Sequence, residues 1–234
     1  MTAHLLRGAA LAALLTTPAL AQQTDLTIAL QLEPPHLDPT SAAAGAIDSV
    51  LYSNVFEGLT RFMSDGSVVA GLAESWEINA DGTSYTFTLR DGVTFHDGTT
   101  MDAEDVKFTL DRARAEDSAN AQKPLFEGIE EVAVIDPTTV EVKLSAPDGN
   151  FLFNMAWGDA VIVAPESIED IATNPAVTGP FAFDNRVQGD RLELARNDSY
   201  WRAAPALEPA TFRFISDPTA AFSSTLTDVA DVFL

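Results

Sequence analysis

The sequence predicts an exported protein of the α/β class, and three observations lead to that prediction. Short segments in which apolar and polar residues alternate, as in half-buried strands, recur along the chain. Between them lie segments with apolar residues at helical spacing and capping residues at their ends. The first 21 residues carry the pattern of an export signal. Together they indicate strands and helices in a protein that leaves the cytoplasm.

The predicted signal occupies residues 1–21. Arg7 supplies a positive charge, residues 8–15 are almost entirely apolar, and Pro18 interrupts that run. Residues 19–21, Ala-Leu-Ala, place small residues where a signal peptidase cleaves. The alternative is a buried or membrane helix, but the run is shorter than the about 20 apolar residues that span a bilayer. The chain has 0 cysteines, so we expect no lipid anchor. No second long apolar stretch follows, so we expect no membrane insertion after cleavage. We therefore predict a periplasmic protein.

The elements follow in order from local patterns. Residues 24–31 alternate as a strand, and residues 46–59 carry apolar residues at helical spacing with Gly58 as the expected end of the helix. Asp102 and Asp105 predict a capping box that begins a second helix. Three hairpins are predicted at 75–78 with 84–89, 132–135 with 140–144, and 181–183 with 192–195. A strand at 211–215, a helix at 218–226 and a strand-like run at 229–234 complete the chain.

Composition narrows the possible functions. A formal charge of −22, from 35 acidic and 13 basic residues, repels phosphate backbones, so nucleic acid is not an expected partner. His36 and His96 have no second histidine at ligand spacing, and no phosphate-binding or nucleophile-elbow motif is present. We therefore expect no catalytic residue, no metal and no cofactor. Two alternatives stay open: an exported hydrolase that uses a carboxylate pair, and a periplasmic chaperone or sensor-input module.

Six blocks resemble the family 5 extracellular solute-binding proteins, the peptide, nickel and opine receptors of ABC importers. The main block, residues 71–98, reads GLAESWEINADGTSYTFTLRDGVTFHDG. The others are EPPHLDP (33–39), NVFEGLTRF (54–62), DAEDVKFTLDRA (102–113), TGPFAFDNRVQGDRLELARNDSYW (178–201) and FRFISDPTAAFSSTL (212–226). These blocks lie in the family's order and cover nearly the whole chain after residue 21.

The resemblance implies a periplasmic binding protein-like fold of class II, cluster C type, in which two α/β lobes close on a ligand. The first lobe would be discontinuous, formed by residues 22–45 and 178–234, with an extra α+β domain at residues 46–177. Family members are about twice as long as this chain, so the second lobe is expected to be absent and the chain to be a fragment. We then expect ligand binding to be weak, because closure needs both lobes.

The resemblance also implies a function and a site. It predicts a monomeric, non-enzymatic receptor that captures a short peptide or similar small solute and delivers it to the membrane permease of an ABC importer. The predicted ligand-binding residues are Leu32, Glu33 and Pro34, in the loop after the first strand, together with Trp157 and Asp159. For Glu33 a solvent-facing loop acid is an equal alternative, and for Trp157 a plain core position.

Overall fold

The computed structural model describes residues 23–41 and 44–234, so the predicted signal lies outside the described residues. The described residues form the α-helices α1 (Gly45–Leu51), α2 (Ala103–Arg114), α3 (Phe151–Asn154) and α4 (Pro218–Leu226). The strands are β1 (Leu26–Leu30), β2 (Thr60–Phe62), β3 (Val68–Ala70), β4 (Ala73–Ile78), β5 (Ser84–Leu89), β6 (Ile129–Asp136), β7 (Thr139–Leu144), β8 (Phe181–Val187), β9 (Arg191–Arg196), β10 (Pro209–Phe214) and β11 (Val232–Phe233). Within the described ranges, none of the helices has the length and apolarity needed to cross a membrane.

A five-stranded sheet joins the two ends of the described chain, in the order β11-β1-β10-β9-β8. Strand β1 is parallel to both of its neighbours, and Ile28 pairs with Phe212 on one side and Val232 on the other. The remaining pairs, β10 with β9 and β9 with β8, are antiparallel. The carboxyl ends of β1, β10 and β11 therefore meet at one edge of the sheet.

The intervening segment contains a four-stranded antiparallel sheet in the order β4-β5-β7-β6. Two predicted hairpins, β4–β5 and β6–β7, are confirmed here, and the third, β8–β9, is confirmed in the five-stranded sheet. A small ladder of β2 with β3 precedes this sheet. Helix α2 begins at the predicted capping box, in which the Asp102 side chain accepts from Glu104 N–H and the Asp105 side chain accepts from Asp102 N–H.

Each of the two larger sheets has its own apolar core. Helix α2, Phe126 and Phe151 pack against the four-stranded sheet. Ile47 and Val50 of α1, together with Val161, Val163 and neighbouring apolar residues, pack instead against the five-stranded sheet. The predicted division of the chain at residues 45 and 178 stays a prediction, and the packing places α1 with the five-stranded sheet.

The end of α1 differs from the prediction. The helix ends at Leu51 and does not continue to Gly58, because Tyr52 is extended and Ser53 has a φ of +60°. Gly58 instead allows a close approach, since a Cβ there would lie 2.8 Å from the Met155 carbonyl oxygen. A glycine is needed at position 58 because the backbone is crowded against the segment after α3, and not because it caps a helix.

A buried carboxyl, that of Glu57, lies where three distant parts of the chain meet. It accepts hydrogen bonds from Trp201 Nε1 (2.8 Å), the Tyr200 hydroxyl (2.8 Å) and the Thr178 hydroxyl (3.2 Å). Its backbone carbonyl accepts from Ile162 N–H at 2.9 Å. Burial raises the pKa of Glu57, although the three donors act in the opposite direction. The neutral carboxyl is therefore favoured more at this position than in water.

Replacing Glu57 separates its hydrogen-bonding role from its charge. Glu57→Ala leaves the Trp201 and Tyr200 donors without their acceptor, so we expect a loss of about 3 kcal/mol in the free energy of unfolding. Glu57→Gln keeps one carbonyl oxygen for Trp201, and its amide can donate to the Tyr200 hydroxyl oxygen. We expect that variant to lie within about 1 kcal/mol of the parent in urea titrations. Equal destabilisation by both substitutions would contradict this interpretation.

Candidate functional site

The carboxyl edge of the parallel strands forms a pocket of about 410 Å³. We call it the edge pocket. Its lining comes from the end of β1 and the loop after it, from α1, and from the last residue described: Leu30, Gln31, Leu32, Gly45, Ala46, Ser49 and Leu234. In open α/β sheets, ligands bind in crevices outside the carboxyl ends of the strands. The topology therefore places a candidate ligand surface here, and Leu32, which is 71% exposed, lies on it.

The Glu33 side chain next to this pocket is already engaged. Glu33 Oε1 accepts from Arg186 Nη2 at 2.7 Å and from Arg186 Nε at 3.1 Å, while Oε2 accepts from Gly189 N–H at 2.9 Å. Arg186 also donates to the Pro34 carbonyl. The half-buried pair fastens the loop after β1 to the β8–β9 hairpin. Glu33 is neither a free ligand group nor a solvent-facing loop acid in this arrangement.

A second pocket, of about 350 Å³, also borders α1. We call it the aromatic pocket. Asp48 of α1 and Tyr52 just after the helix line it together with Phe62, Gly66, Phe153, Trp157 and Gly158. The rings of Phe62, Phe153 and Trp157 pack obliquely or edge to face, with centroids 4.6 to 6.5 Å apart. Trp157 is 38% exposed and forms a wall of this pocket, so it is not a core residue.

Two carboxyl groups lie beside the aromatic pocket. Asp48 is exposed at its rim, and partial burial raises the pKa of its carboxyl. Asp159 is only 6% exposed, in the short turn Gly158–Ala160. Burial, and then the negative charge of Asp48, raise the pKa of Asp159 to about 6. No side-chain hydrogen bond or ion pair to Asp159 is formed within residues 23–41 and 44–234.

The structure divides the predicted site residues between two pockets. Leu32 reaches the edge pocket, whereas Trp157 lines the aromatic pocket and Asp159 lies buried beside it. Helix α1 contributes residues to both pockets. A ligand-binding role for all five residues, Leu32, Glu33, Pro34, Trp157 and Asp159, stays a prediction.

Several residues of these pockets were not singled out from the sequence. Asp48 and Tyr52 lie on the face of α1 away from its buried stripe, which a helical projection shows once the helix is assigned. Phe62 and Phe153 are 91 positions apart in the numbering and belong to different elements. Nothing in the sequence connects them. Arg186 could be noticed only as one of few basic residues in an acidic chain.

Comparison with known proteins identifies the family. The profile of the bacterial extracellular solute-binding proteins, family 5 middle region, matches residues 67–234. The chain belongs to this family. The glutathione-binding protein GsiB of Pectobacterium atrosepticum is 32% identical over 211 residues, which cover 88% of this chain and 41% of that protein. The chain thus spans about two fifths of the length of the curated relatives it matches.

Solved structures of family 5 proteins match as well. The MoaA protein of A. tumefaciens R10, in complex with mannopinic acid, is 29% identical with a TM-score of 0.83. That match covers 91% of this chain and 45% of MoaA. The oligopeptide-binding protein AppA of Bacillus subtilis, in complex with a nonapeptide, is 27% identical with a TM-score of 0.82, covering 91% of this chain and 44% of AppA. The predicted periplasmic binding protein-like fold is confirmed over the shared part.

The Glu33–Arg186 pair can be tested by removing the cation. Arg186→Met keeps an unbranched apolar stem but leaves both Glu33 Oε1 and the Pro34 carbonyl without their donor. We expect a loss of about 1–2 kcal/mol in unfolding free energy and faster amide exchange at residues 31–33. Arg196→Met is the matched control, because its partners Asp198 and Glu208 are exposed. Equal effects of the two substitutions would contradict a fastening role.

The raised pKa of Asp159 predicts how stability changes with pH. The folded chain holds the Asp159 proton up to about pH 6, whereas the unfolded chain loses it near the ordinary value of 3.8. Stability should therefore rise as the pH falls from about 7 towards 4, and ionised Asp159 should destabilise the fold at neutral pH. Asp105, whose pKa burial raises to about 6, acts in the same window and direction.

Asp159→Asn should remove its share of this dependence. We expect the variant to be more stable than the parent at pH 7.5, by on the order of 1–3 kcal/mol, and to gain less on acidification. Urea titrations at pH 5 and pH 7.5 measure both quantities. Asp81→Asn, in the exposed turn between β4 and β5, is the control. If Asp159→Asn is destabilising at pH 7.5, the buried carboxylate is favourable and the prediction is wrong.

Proposed function

We propose that this protein is the solute-binding component of a periplasmic ABC importer, which captures a short peptide or similar small solute for a membrane permease. Membership of family 5 is the observation that carries the proposal. The relatives named above bind glutathione, mannopinic acid or a nonapeptide, so one architecture accommodates several small solutes. Periplasmic location, a monomeric state and docking on the permease belong to the same proposal.

Within this proposal, the described chain forms one wall of the ligand cleft. The edge pocket and the aromatic pocket flank α1 and together offer apolar surface, backbone groups and a few charges. Such surfaces hold a small ligand by their shape and by a few oriented polar groups, and binding requires no chemical reaction. Leu32 and Trp157 would contact the solute. Glu33 and Pro34 would act indirectly, because Arg186 fixes the loop that carries Leu32.

One observation favours a second candidate, the exported hydrolase. Asp48 and Asp159 are neighbouring carboxyls beside a pocket, and the pKa of each is raised. Paired carboxyls with shifted pKa values are a common acid–base arrangement in enzymes. Against it, Asp159 is buried and does not line the aromatic pocket. The proposed role is therefore binding without turnover, and release of the solute unchanged is its distinguishing property.

Uptake from a defined mixture tests the proposal. A strain that lacks the gene should leave one class of small solute, such as short peptides, in the medium, and the parent and complemented strains should deplete it. Mass spectrometry of the medium measures depletion, and the same method shows whether solute incubated with the purified chain stays intact. Unchanged uptake of every solute would overturn the transport role. Cleavage of the solute by the purified chain would favour the hydrolase.

A further inference from the structure

The aromatic pocket is built to receive an apolar group. Phe153 is 41% exposed and stands beside the similarly exposed Trp157, so two large rings face an open cavity. The Tyr52 hydroxyl donates to the Ala156 carbonyl, and this hydrogen bond fixes the Tyr52 ring as well. Because the rings pack on one another and Tyr52 is hydrogen-bonded, the wall is preorganised. The pocket volume of about 350 Å³ is enough for a short aliphatic or aromatic stem.

The same pocket has a negatively charged rim. Asp48 is the charged residue among those that line it, and its carboxylate lies against the backbone of Gly158. Asp159, which follows Gly158 in the chain, adds a second acidic group, and its side chain has no partner in the described part of the protein. The basic residue nearest in sequence to the pocket is Arg61, which lines a different, water-sized cavity that shares Tyr52 with the aromatic pocket. The charge among the residues that line the aromatic pocket itself is negative.

Rings and carboxylates together select one ligand chemistry. The faces of aromatic rings attract cations, and a carboxylate at the rim adds a direct ion pair. An anion would be repelled by Asp48 and by the net charge of −22. A neutral apolar molecule could use the rings alone and would gain nothing from the rim.

We propose that the aromatic pocket binds a primary ammonium or guanidinium group carried on an apolar stem, with Asp48 as its ion partner and Trp157 and Phe153 against the stem. This inference rests on the proposed function, because it assigns the pocket to the solute that the protein captures. It gives that solute a chemical class, an organic cation or a peptide with a basic side chain.

Three probes of equal length test the charge preference. Hexylammonium and hexan-1-ol share a hexyl stem and differ at its end, and hexanoate places a carboxylate on a chain of the same overall length. Ligand-observed NMR titrations at pH 7.5 and low salt give their affinities for the full chain. We expect hexylammonium to bind about three- to tenfold more tightly than hexan-1-ol, and hexanoate more weakly than either. Equal affinity for the cation and the alcohol, or tighter binding of hexanoate, would overturn the inference.

Variants assign the preference to this pocket. Asp48→Asn should reduce the preference to the part that the rings and Asp159 supply, and leave hexan-1-ol affinity within about twofold of the parent. Gly158→Ala keeps every charge, but its Cβ would lie 2.3 Å from Asp48 Oδ1, so the carboxylate must move and the preference should fall. Trp157→Leu should weaken the cation and the alcohol together. Asp65→Asn, in the exposed β2–β3 turn beside Gly66, removes a nearby charge and should leave the preference unchanged.

The results separate this inference from the transport role. If Asp48→Asn keeps the full cation preference while the chain folds, as judged by circular dichroism, the pocket assignment is wrong whatever the uptake experiment shows. If the preference depends on Asp48 but uptake is unchanged in the gene-deleted strain, the cation site stands and the transport role falls.

Discussion

The hydrogen bonds to the buried carboxyl of Glu57 join parts of the chain that lie far apart in the sequence. Glu57 precedes β2 in sequence, Thr178 precedes β8, and Tyr200 and Trp201 follow β9. Its backbone joins the segment at Ile162 as well. The two larger sheets have separate cores, and this junction is one of the links between them, beside the Arg112–Asp38 ion pair. A carboxyl suits the position because it accepts several donors at once, and the surrounding burial favours its protonated form.

Much of the local structure could be predicted from the sequence, because it is encoded by neighbouring residues. The β4–β5 and β6–β7 hairpins and the capping box at Asp102 each depend on residues within one short stretch of the chain, and all three are present. The end of α1 was mispredicted for the opposite reason. Gly58 looks like a helix terminator locally, but it is required by the Met155 carbonyl almost a hundred residues later.

The candidate site was less predictable than the fold. The sequence pointed to Glu33 and Trp157 through a family resemblance, but it could not show that Glu33 is paired with Arg186, 153 positions away. Nor could it show that Trp157 meets Phe62 and Asp48 at one pocket. The blocks that carry the family resemblance contain many turn, cap and junction residues, such as Asp102 and Glu57. Those residues preserve the scaffold, and the pocket walls come largely from positions between or beside them.

The pairing of β1 with β10 and β11 also has a kinetic consequence. As a chain grows from its N-terminus, β1 is made well before its partners at residues 209–214 and 232–233. The four-stranded sheet, complete by residue 144, has all its pairings long before that point. The middle of the chain can therefore complete its pairings first, while β1 waits unpaired for some 180 residues. The five-stranded sheet is then the slower of the two larger sheets to form, because its closure brings together segments that the whole middle of the chain separates.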